Sequence, residues 1–482
     1  MRKTGLLLLA AATVLTVSLT ACRSHADADV IIISTGDIHS RLDRIPQLAS
    51  LVEGYRSQDT ATVFLVDAGD RWTGDPFVDL APRRGYPIIE QMNSLGYDVA
   101  TLGNHEFDNG LDTLQARMDD AHFPIVLANI STGRTSLRPF KPYVLLKAGG
   151  ARVAFIGLVT NYAGGHPDGD DAIFEGLTFS SPEQVASRYY GLRRKADAVV
   201  VLSHLGLDRD TTVLVESMPW ADVVVSSHTH ETYAGVKNGV AVVQGKNKLG
   251  AVGITTLRIR DGRVVDRQIK YVELPACGDP KFEADIEKYN NNPYLLETVG
   301  KLDAAATKDQ LGAMLAQVGR RAASTDFGFY HRGGTRLEVL DKGSVSRAKI
   351  YELDPFASRY VVTTMTLDEL KTLIINKFND KTNAKESHRI DLYPAGLDYT
   401  ILTDGSGDAV DVRFDVATPK ELYTVALADY IYGSSTYCYP RRDKEGETAL
   451  VTDLVTEAFG SAESLSPESF CGFGQASIVR AK

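Results

Sequence analysis

Val99-Ala100-Thr101-Leu102 runs directly into Gly103-Asn104-His105-Glu106-Phe107-Asp108. The apolar, partly β-branched run reads as a short buried strand. The six residues after it carry an amide, an imidazole and two carboxylates. The same order recurs along the first half of the chain. Val30-Ile31-Ile32-Ile33 leads to Asp37 and His39, and Val63-Phe64-Leu65-Val66 leads to Asp67 and Asp70. Val199-Val200-Val201-Leu202 leads to Ser203-His204, and Val223-Val224-Val225 leads to His228-Thr229-His230. Ligands of α/β sheets gather at the carboxyl ends of strands. One sheet edge would therefore collect Asp37, His39, Asp70, Asn104, His105, His204, His228 and His230. Five of the chain's ten histidines fall in this set, too many donors for one ion and enough for two sharing a bridge.

Asp70 offers two carboxylate oxygens and can bridge. Asp37 and His39 share a face if that segment stays extended, as do His228 and His230. Imidazole, carboxylate and amide donors without thiolate suit two divalent metal ions, zinc or manganese foremost. Two such ions about 4 Å apart clamp a phosphoryl oxygen and turn a bridging water into hydroxide near neutral pH. The reaction class is hydrolysis of a phosphate ester by in-line attack of that hydroxide. The i, i+3 spacing puts Asp108 beside His105 at a helix start. A carboxylate there fixes the imidazole tautomer and favours its charged form. His105 can then stabilise developing charge or protonate the leaving group.

The rest of the chain bounds this reading. Its 482 residues suggest two domains. A net charge of −10 argues against a nucleic-acid-binding surface. Met1-Arg2-Lys3, then an apolar stretch over 6–19, form an export signal. Leu19-Thr20-Ala21-Cys22 resembles a bacterial lipobox, which implies cleavage before Cys22 and a lipid on its sulfur. The expected location is the cell envelope, with membrane contact through that anchor only. Of the remaining cysteines, Cys438 and Cys471 are expected to pair, both lying late in the chain in an exported setting.

Residues 1–22 are thus a lipoprotein signal peptide and 23–29 a polar leader. Strands and helices alternate over 30–275, with helical patterns at 45–56, 88–95, 111–121 and 182–195. This first domain reads as layered α/β. Asp261-Gly262 marks a hairpin turn between strands near 252–259 and 264–272. A linker containing a helix covers 276–300. A second, α+β domain covers 301–482, with helices over 308–323 and 367–378.

Together these motifs resemble the calcineurin-like metallophosphoesterases of the bacterial 5′-nucleotidase/UDP-sugar hydrolase family. Gly103-Asn-His-Glu-Phe-Asp108 carries the resemblance most specifically. The resemblance implies a four-layer α-β-β-α amino-terminal domain and a 5′-nucleotidase-type substrate domain. It assigns one metal to Asp37, His39, Asp70 and His230, the other to Asp70, Asn104, His204 and His228, and the catalytic pair to His105 and Asp108. Two departures are Ser226-Ser227 where the family has glycines and Thr35-Gly36 where an Asn is usual. In the second domain, Arg332 and Arg336 flank Gly333-Gly334 in a segment that resembles the family's Asn-Gly-Gly-x-Arg stretch opening the substrate domain, and two arginines so placed can clamp a phosphate or carboxylate bidentately. Asp354-Pro355-Phe356 resembles its Pro-Phe segment. Tyr437 corresponds to one of two rings that hold a nucleobase, in a loop of changed sequence. Tyr393 lies near the position of the other ring.

The implied activity is an exported, monomeric 5′-nucleotidase-like phosphohydrolase acting on nucleotides. Alternatives are a 2′,3′-cyclic phosphodiesterase/3′-nucleotidase, a nucleotide-sugar pyrophosphatase, or a non-catalytic lipoprotein that captures nucleotide or metal. The family also implies that the second domain swings relative to the first.

Overall fold

The computed structural model describes residues 27–382, 387–416 and 418–480. The signal segment and the expected lipid-bearing Cys22 lie outside the described residues. Among the described residues, no helix is long and apolar enough to cross a membrane.

The first half builds two stacked sheets. One runs in the order Arg263–Glu273, Ala251–Arg260, Ala28–Thr35, Thr62–Asp67, Val99–Ala100. The other runs Tyr233–Lys237, Val240–Gln244, Val223–Val225, Ala198–His204, Ala151–Val159, Tyr143–Ala148. Strands Ala28–Thr35, Thr62–Asp67 and Val99–Ala100 are mutually parallel, as are Ala151–Val159, Ala198–His204 and Val223–Val225. Strand alternation sorts their side chains to two faces. Val30, Ile32, Phe64 and Val66 meet Val200, Leu202, Val223 and Val225 between the sheets. Ile33 and Leu65 face the other way, against helices Ile45–Arg56 and Tyr86–Leu95. Val199 and Val201 pack outward on Val185, Leu214 and Met218. The result is the expected four-layer α-β-β-α arrangement. Each fully buried aliphatic side chain contributes about 1.5–3 kcal/mol relative to exposure, so continuous apolar runs in two covered sheets specify these strands strongly.

The Asp261-Gly262 turn joins Ala251–Arg260 to Arg263–Glu273, with left-handed φ of 50° and 70° at its central residues. Such a turn matches strand twist. Helix Pro280–Asn290 tucks Phe282 and Ile286 into the core shared with Ile45–Arg56. The expected helix at 182–195 is shorter, Pro182–Tyr189, and tightens into a 3-10 segment at Tyr190–Arg194.

The second half packs helices Lys308–Ala323, Leu367–Asn379 and Val451–Gly460 around a five-stranded sheet. Its order is Leu392–Ala395, Phe327–His331, Tyr423–Ala428, Arg359–Met365, Gly446–Leu450.

The expected Cys438–Cys471 bridge is not formed; both thiols are free, as is Cys277. Cys438 is exposed beside helix Leu367–Asn379, where Asn376 Nδ2 donates to its carbonyl. Cys471 closes the Pro467–Phe470 turn and feels the charge of Asp309, at the start of helix Lys308–Ala323. Shared lateness in sequence does not bring two Cα atoms to the roughly 4.4–6.8 Å a disulfide needs.

Candidate metal centre

The parallel strands all deliver their carboxyl ends to one place. Asp37 and His39 follow Ala28–Thr35, Asp70 follows Thr62–Asp67, and Asn104 and His105 follow Val99–Ala100. His204 ends its strand, and His228 and His230 follow Val223–Val225. The connections are not extended, as spacing two apart had suggested. Asp37, His39, Asp70, His228 and His230 all have left-handed φ, between 48° and 82°. Such conformations cost about 1–3 kcal/mol each for non-glycine residues and cluster at functional sites. The sharp turns bring donors from separate loops to a common point.

Three donor groups overlap there: Asp37, His39 and His230; His39, Asp70 and His105; and Asp70, His204 and His228. Asp70 and His39 link the groups. The Nε2 atoms of His39 and His230 face each other at 3.1 Å. His204 Nε2 lies 3.0 Å from Asp70 Oδ2 without the alignment of a hydrogen bond. It is 3.8 Å from Asp37 Oδ1, as is His230 Nε2. The Asn104 Oδ1 atom is buried without a hydrogen-bond partner. Buried polar atoms are normally paired, so acceptors converging on one point fit cations.

The tautomers agree. His39 Nδ1 donates to the Thr73 carbonyl at 2.9 Å, and His204 Nδ1 to the Ala68 carbonyl at 2.7 Å. A ring that donates through Nδ1 presents an Nε2 lone pair to a metal. The His228 amide donates to both Asp37 oxygens, at 3.1 and 2.9 Å, fixing that carboxylate.

Electrostatics point the same way. Burial, then the Arg336 guanidinium, hold the His39 and His230 imidazoles well below their ordinary pKa, in the neutral form that binds metal. Burial would raise Asp70, but His204 and His105 reverse this and leave its carboxylate well below the ordinary range. Burial would lower His204, yet the Asp70 and Asp37 carboxylates push it up to about 10. The buried carboxylate pair thus demands positive charge, which divalent cations would supply in place of an imidazolium. The residues fit a divalent-cation site, with no thiolate among the donors.

His105 and Asp108 sit beside this cradle on one 3-10 turn, His105–Phe107, rather than on an α-helix. Residues three apart eclipse in that geometry, and His105 Nδ1 meets Asp108 Oδ2 at 2.8 Å. His105 Nε2 stands 3.9 Å from Asp70 Oδ2. Burial lowers the imidazole pKa, and Asp108 and Asp70 more than reverse it, leaving a net rise.

The second half closes over the site. Phe356 stacks on His105, with ring centroids 5.7 Å apart. Arg336 reaches His39 Nε2 at 3.4 Å and lies 5.5 Å over the Phe356 ring. A cavity of about 470 Å³ opens from Asp70, Asn104 and His105 past Arg332 and Arg336 to Lys377, Asp391, Tyr430 and Tyr437. Arg332 lines its wall but is held by Asp309 and by the Tyr393 hydroxyl, away from the donor cradle. Tyr393 itself packs on the helix, filling the space over Gly312, where a Cβ would sit 2.2 Å from its ring. Tyr437 lines the cavity yet is buried; its hydroxyl donates to Asp391 Oδ2 at 2.6 Å, and its ring stands perpendicular to Tyr430. Tyr430 in turn stacks on His331 at 4.8 Å.

Three residues at the site had no assigned role in the sequence reading. Asp168 places Oδ2 3.7 Å from His228 Nε2, from a loop with no periodic signal. Ser227 lies against Gly36, where a Cβ would meet its Oγ at 2.4 Å. Glu106 stands between His105 and Phe107, with its carboxylate turned under the loops rather than into the cradle.

Residues 31–232 match the calcineurin-like phosphoesterase family, and residues 295–439 match the 5′-nucleotidase C-terminal domain. The chain is 28% identical to endonuclease YhcR of Bacillus subtilis over 83% of its own length and 37% of that protein. It therefore spans little more than a third of that relative. It is 24% identical to protein UshA of Yersinia enterocolitica, over 83% of this chain and 85% of that one. In fold it resembles the 5′-nucleotidase precursor of Thermus thermophilus, with a TM-score of 0.77 at 20% identity, covering 91% of this chain and 97% of that one. With both matches in sequence order and the metal-type cradle in the first, the chain belongs to the calcineurin-like phosphoesterases, which hydrolyse phosphate esters, in the group that carries a 5′-nucleotidase C-terminal domain.

Proposed function

We propose that this protein removes phosphate from nucleotides with the help of two divalent cations, outside the cytoplasmic membrane and tethered through Cys22. One observation carries the reading: Asp37, His39, Asp70, Asn104, His204, His228 and His230 converge with His39 and His204 fixed in the metal-binding tautomer. One cation would be held by Asp37, His39, Asp70 and His230, the other by Asp70, Asn104, His204 and His228. When bound, such a pair supplies Lewis acidity and lowers the pKa of water.

The chain's own groups do the rest. Arg336 presents a guanidinium, suited to bidentate phosphate contact, at the cradle's rim. Asp108 holds the proton on His105 Nδ1, which leaves Nε2 facing Asp70 and the substrate side. Protonated, His105 stabilises the developing negative charge or passes its proton to the leaving oxygen. Phe356 covers one face of that ring and limits water around it. Arg332 and Tyr437 line the space for the leaving group.

The division into a metallophosphoesterase domain over 30–275 and a substrate domain over 301–482 belongs to the same proposal. Helix Pro280–Asn290 is docked on the first half through Phe282 and Ile286, so a hinge falls after Asn290. The test follows the products formed from AMP, 2′,3′-cyclic AMP and UDP-glucose by chromatography, with manganese or zinc and with metal content measured alongside. Turnover of AMP is the expected result. Full metal occupancy with no hydrolysis of any of the three would convert the reading to that of a binding protein.

A further inference from the structure

We propose that Glu106 is a positioning residue that locks the bridging carboxylate Asp70 to the loop bearing Asn104 and His105; this rests on the metal-centre reading above. The Glu106 side chain is fully buried. Its Oε2 accepts from the amides of Gly103 at 2.5 Å and Asp70 at 2.9 Å, and its Oε1 from the amide of Arg71 at 2.8 Å. One carboxylate therefore ties the 69–71 loop to the 103–106 loop. The tie is reciprocal, because Asp70 Oδ1 accepts from the His105 amide at 2.9 Å.

The surroundings are built for this contact. The fully buried Arg71 guanidinium lies 4.0 Å from Glu106 Oε1 and pairs with Asp67 at 3.2 Å. Burying an ionised carboxylate is costly unless charge and hydrogen bonds compensate it, and here both do. The loops also approach too closely for side chains. A Cβ on Gly103 would lie 2.1 Å from Asp70 Oδ1, and one on Gly69 would lie 2.3 Å from the Gly103 amide. Gly69 adds a φ of 94°.

The chemistry selects Glu over its near relatives. Three N–H donors face the two oxygens. An amide at this position would turn an NH2 group against at least one of them. A shorter carboxylate keeps the charge but cannot span both loops. Glu106 touches no reacting atom; it acts through Asp70 and His105. Its loss would shift the shared metal ligand and the catalytic imidazole together.

Trp72 supplies a local reporter, since its Nε1 donates to the His105 carbonyl at 2.7 Å. With Trp220→Phe in the background, Trp72 is the single tryptophan. The experiment compares wild type, Glu106→Gln and Glu106→Asp. It measures manganese binding by calorimetry, Trp72 emission in the metal-free protein, and kcat and KM separately. Both variants are expected to stay folded by circular dichroism, to bind manganese about 10–100-fold more weakly, and to shift Trp72 emission before any metal is added. Wild-type affinity with unchanged emission in Glu106→Gln would overturn the proposal, as would full rescue by Glu106→Asp. If the variants fail to fold, hydrogen exchange on wild-type protein decides. The amides of Gly103, Asp70 and Arg71 should open together, and independent exchange would refute the lock. A wild-type protein that binds no divalent cation would sink the functional reading instead, leaving emission and exchange to judge the lock.

Discussion

Asp108→Asn removes one charge from the His105 pair while keeping its shape. The wild-type imidazole has a raised pKa because Asp108 and Asp70 outweigh burial. The 2.8 Å contact between His105 Nδ1 and Asp108 Oδ2 is the nearest carboxylate contact to the ring. A hydrogen bond to a charged group contributes about 1.5–3 kcal/mol, and one pKa unit is about 1.36 kcal/mol. Replacing the carboxylate by an amide should therefore lower the His105 pKa, since the larger of the two charges that raise it is gone. The proposed active form is the protonated ring, so activity is present below that pKa and lost as pH rises through it. The assay is kcat and kcat/KM for AMP from about pH 5 to 10 with saturating manganese, the first reporting the complex and the second the free enzyme. The basic limb should move to lower pH, with a smaller loss on the acidic plateau. An unmoved limb with a uniform drop in kcat would refute the protonation argument and reduce Asp108 to an orienting group.

Two further outcomes follow from local geometry. Gly36→Ala would drive a Cβ to within 2.4 Å of Ser227 Oγ, an overpacking that costs about 1–3 kcal/mol. Adding Ser227→Gly should restore most of it, and additive losses in urea unfolding would contradict the contact. Burial pushes the Asp354 carboxyl up to about 7, although Ser358 and the Phe356 amide donate to it. Its folded pKa lies above its unfolded value, so its contribution is complete below about pH 4 and disappears as pH rises through about 7. Asp354→Asn should therefore flatten the fall in unfolding free energy between about pH 4 and 7, by on the order of 4 kcal/mol at most, and an unchanged slope would refute the burial argument.

The fold was legible wherever one segment's burial decided its own pattern. Val30 to Ile33 and Val199 to Leu202 are covered on both faces, so their sequences run apolar without alternation and mark strands of parallel sheets. Helices Ile45–Arg56 and Lys308–Ala323 begin and end where their apolar spacing places them. The donors were legible because they follow those strands at the same ends. What stayed hidden depends on partners distant in sequence. Left-handed turns at Asp37 and His228 follow from loops folding onto one another, not from local propensity. The Tyr437 ring is oriented by a hydroxyl bond to Asp391, 46 residues away. Arg332 is held by Asp309 and Tyr393, neither of them near it in sequence. Cys438 and Cys471 share a region of the chain but border different helices. Glu106 looks like one more acid in a motif until three backbone amides converge on it.

The most direct measurement is anomalous diffraction from crystals grown with manganese, at the manganese edge. The account predicts two peaks about 3.5–4 Å apart, one on each side of Asp70, with His39 and His230 at the first and Asn104, His204 and His228 at the second. A single peak, or peaks away from Asp70, would contradict it.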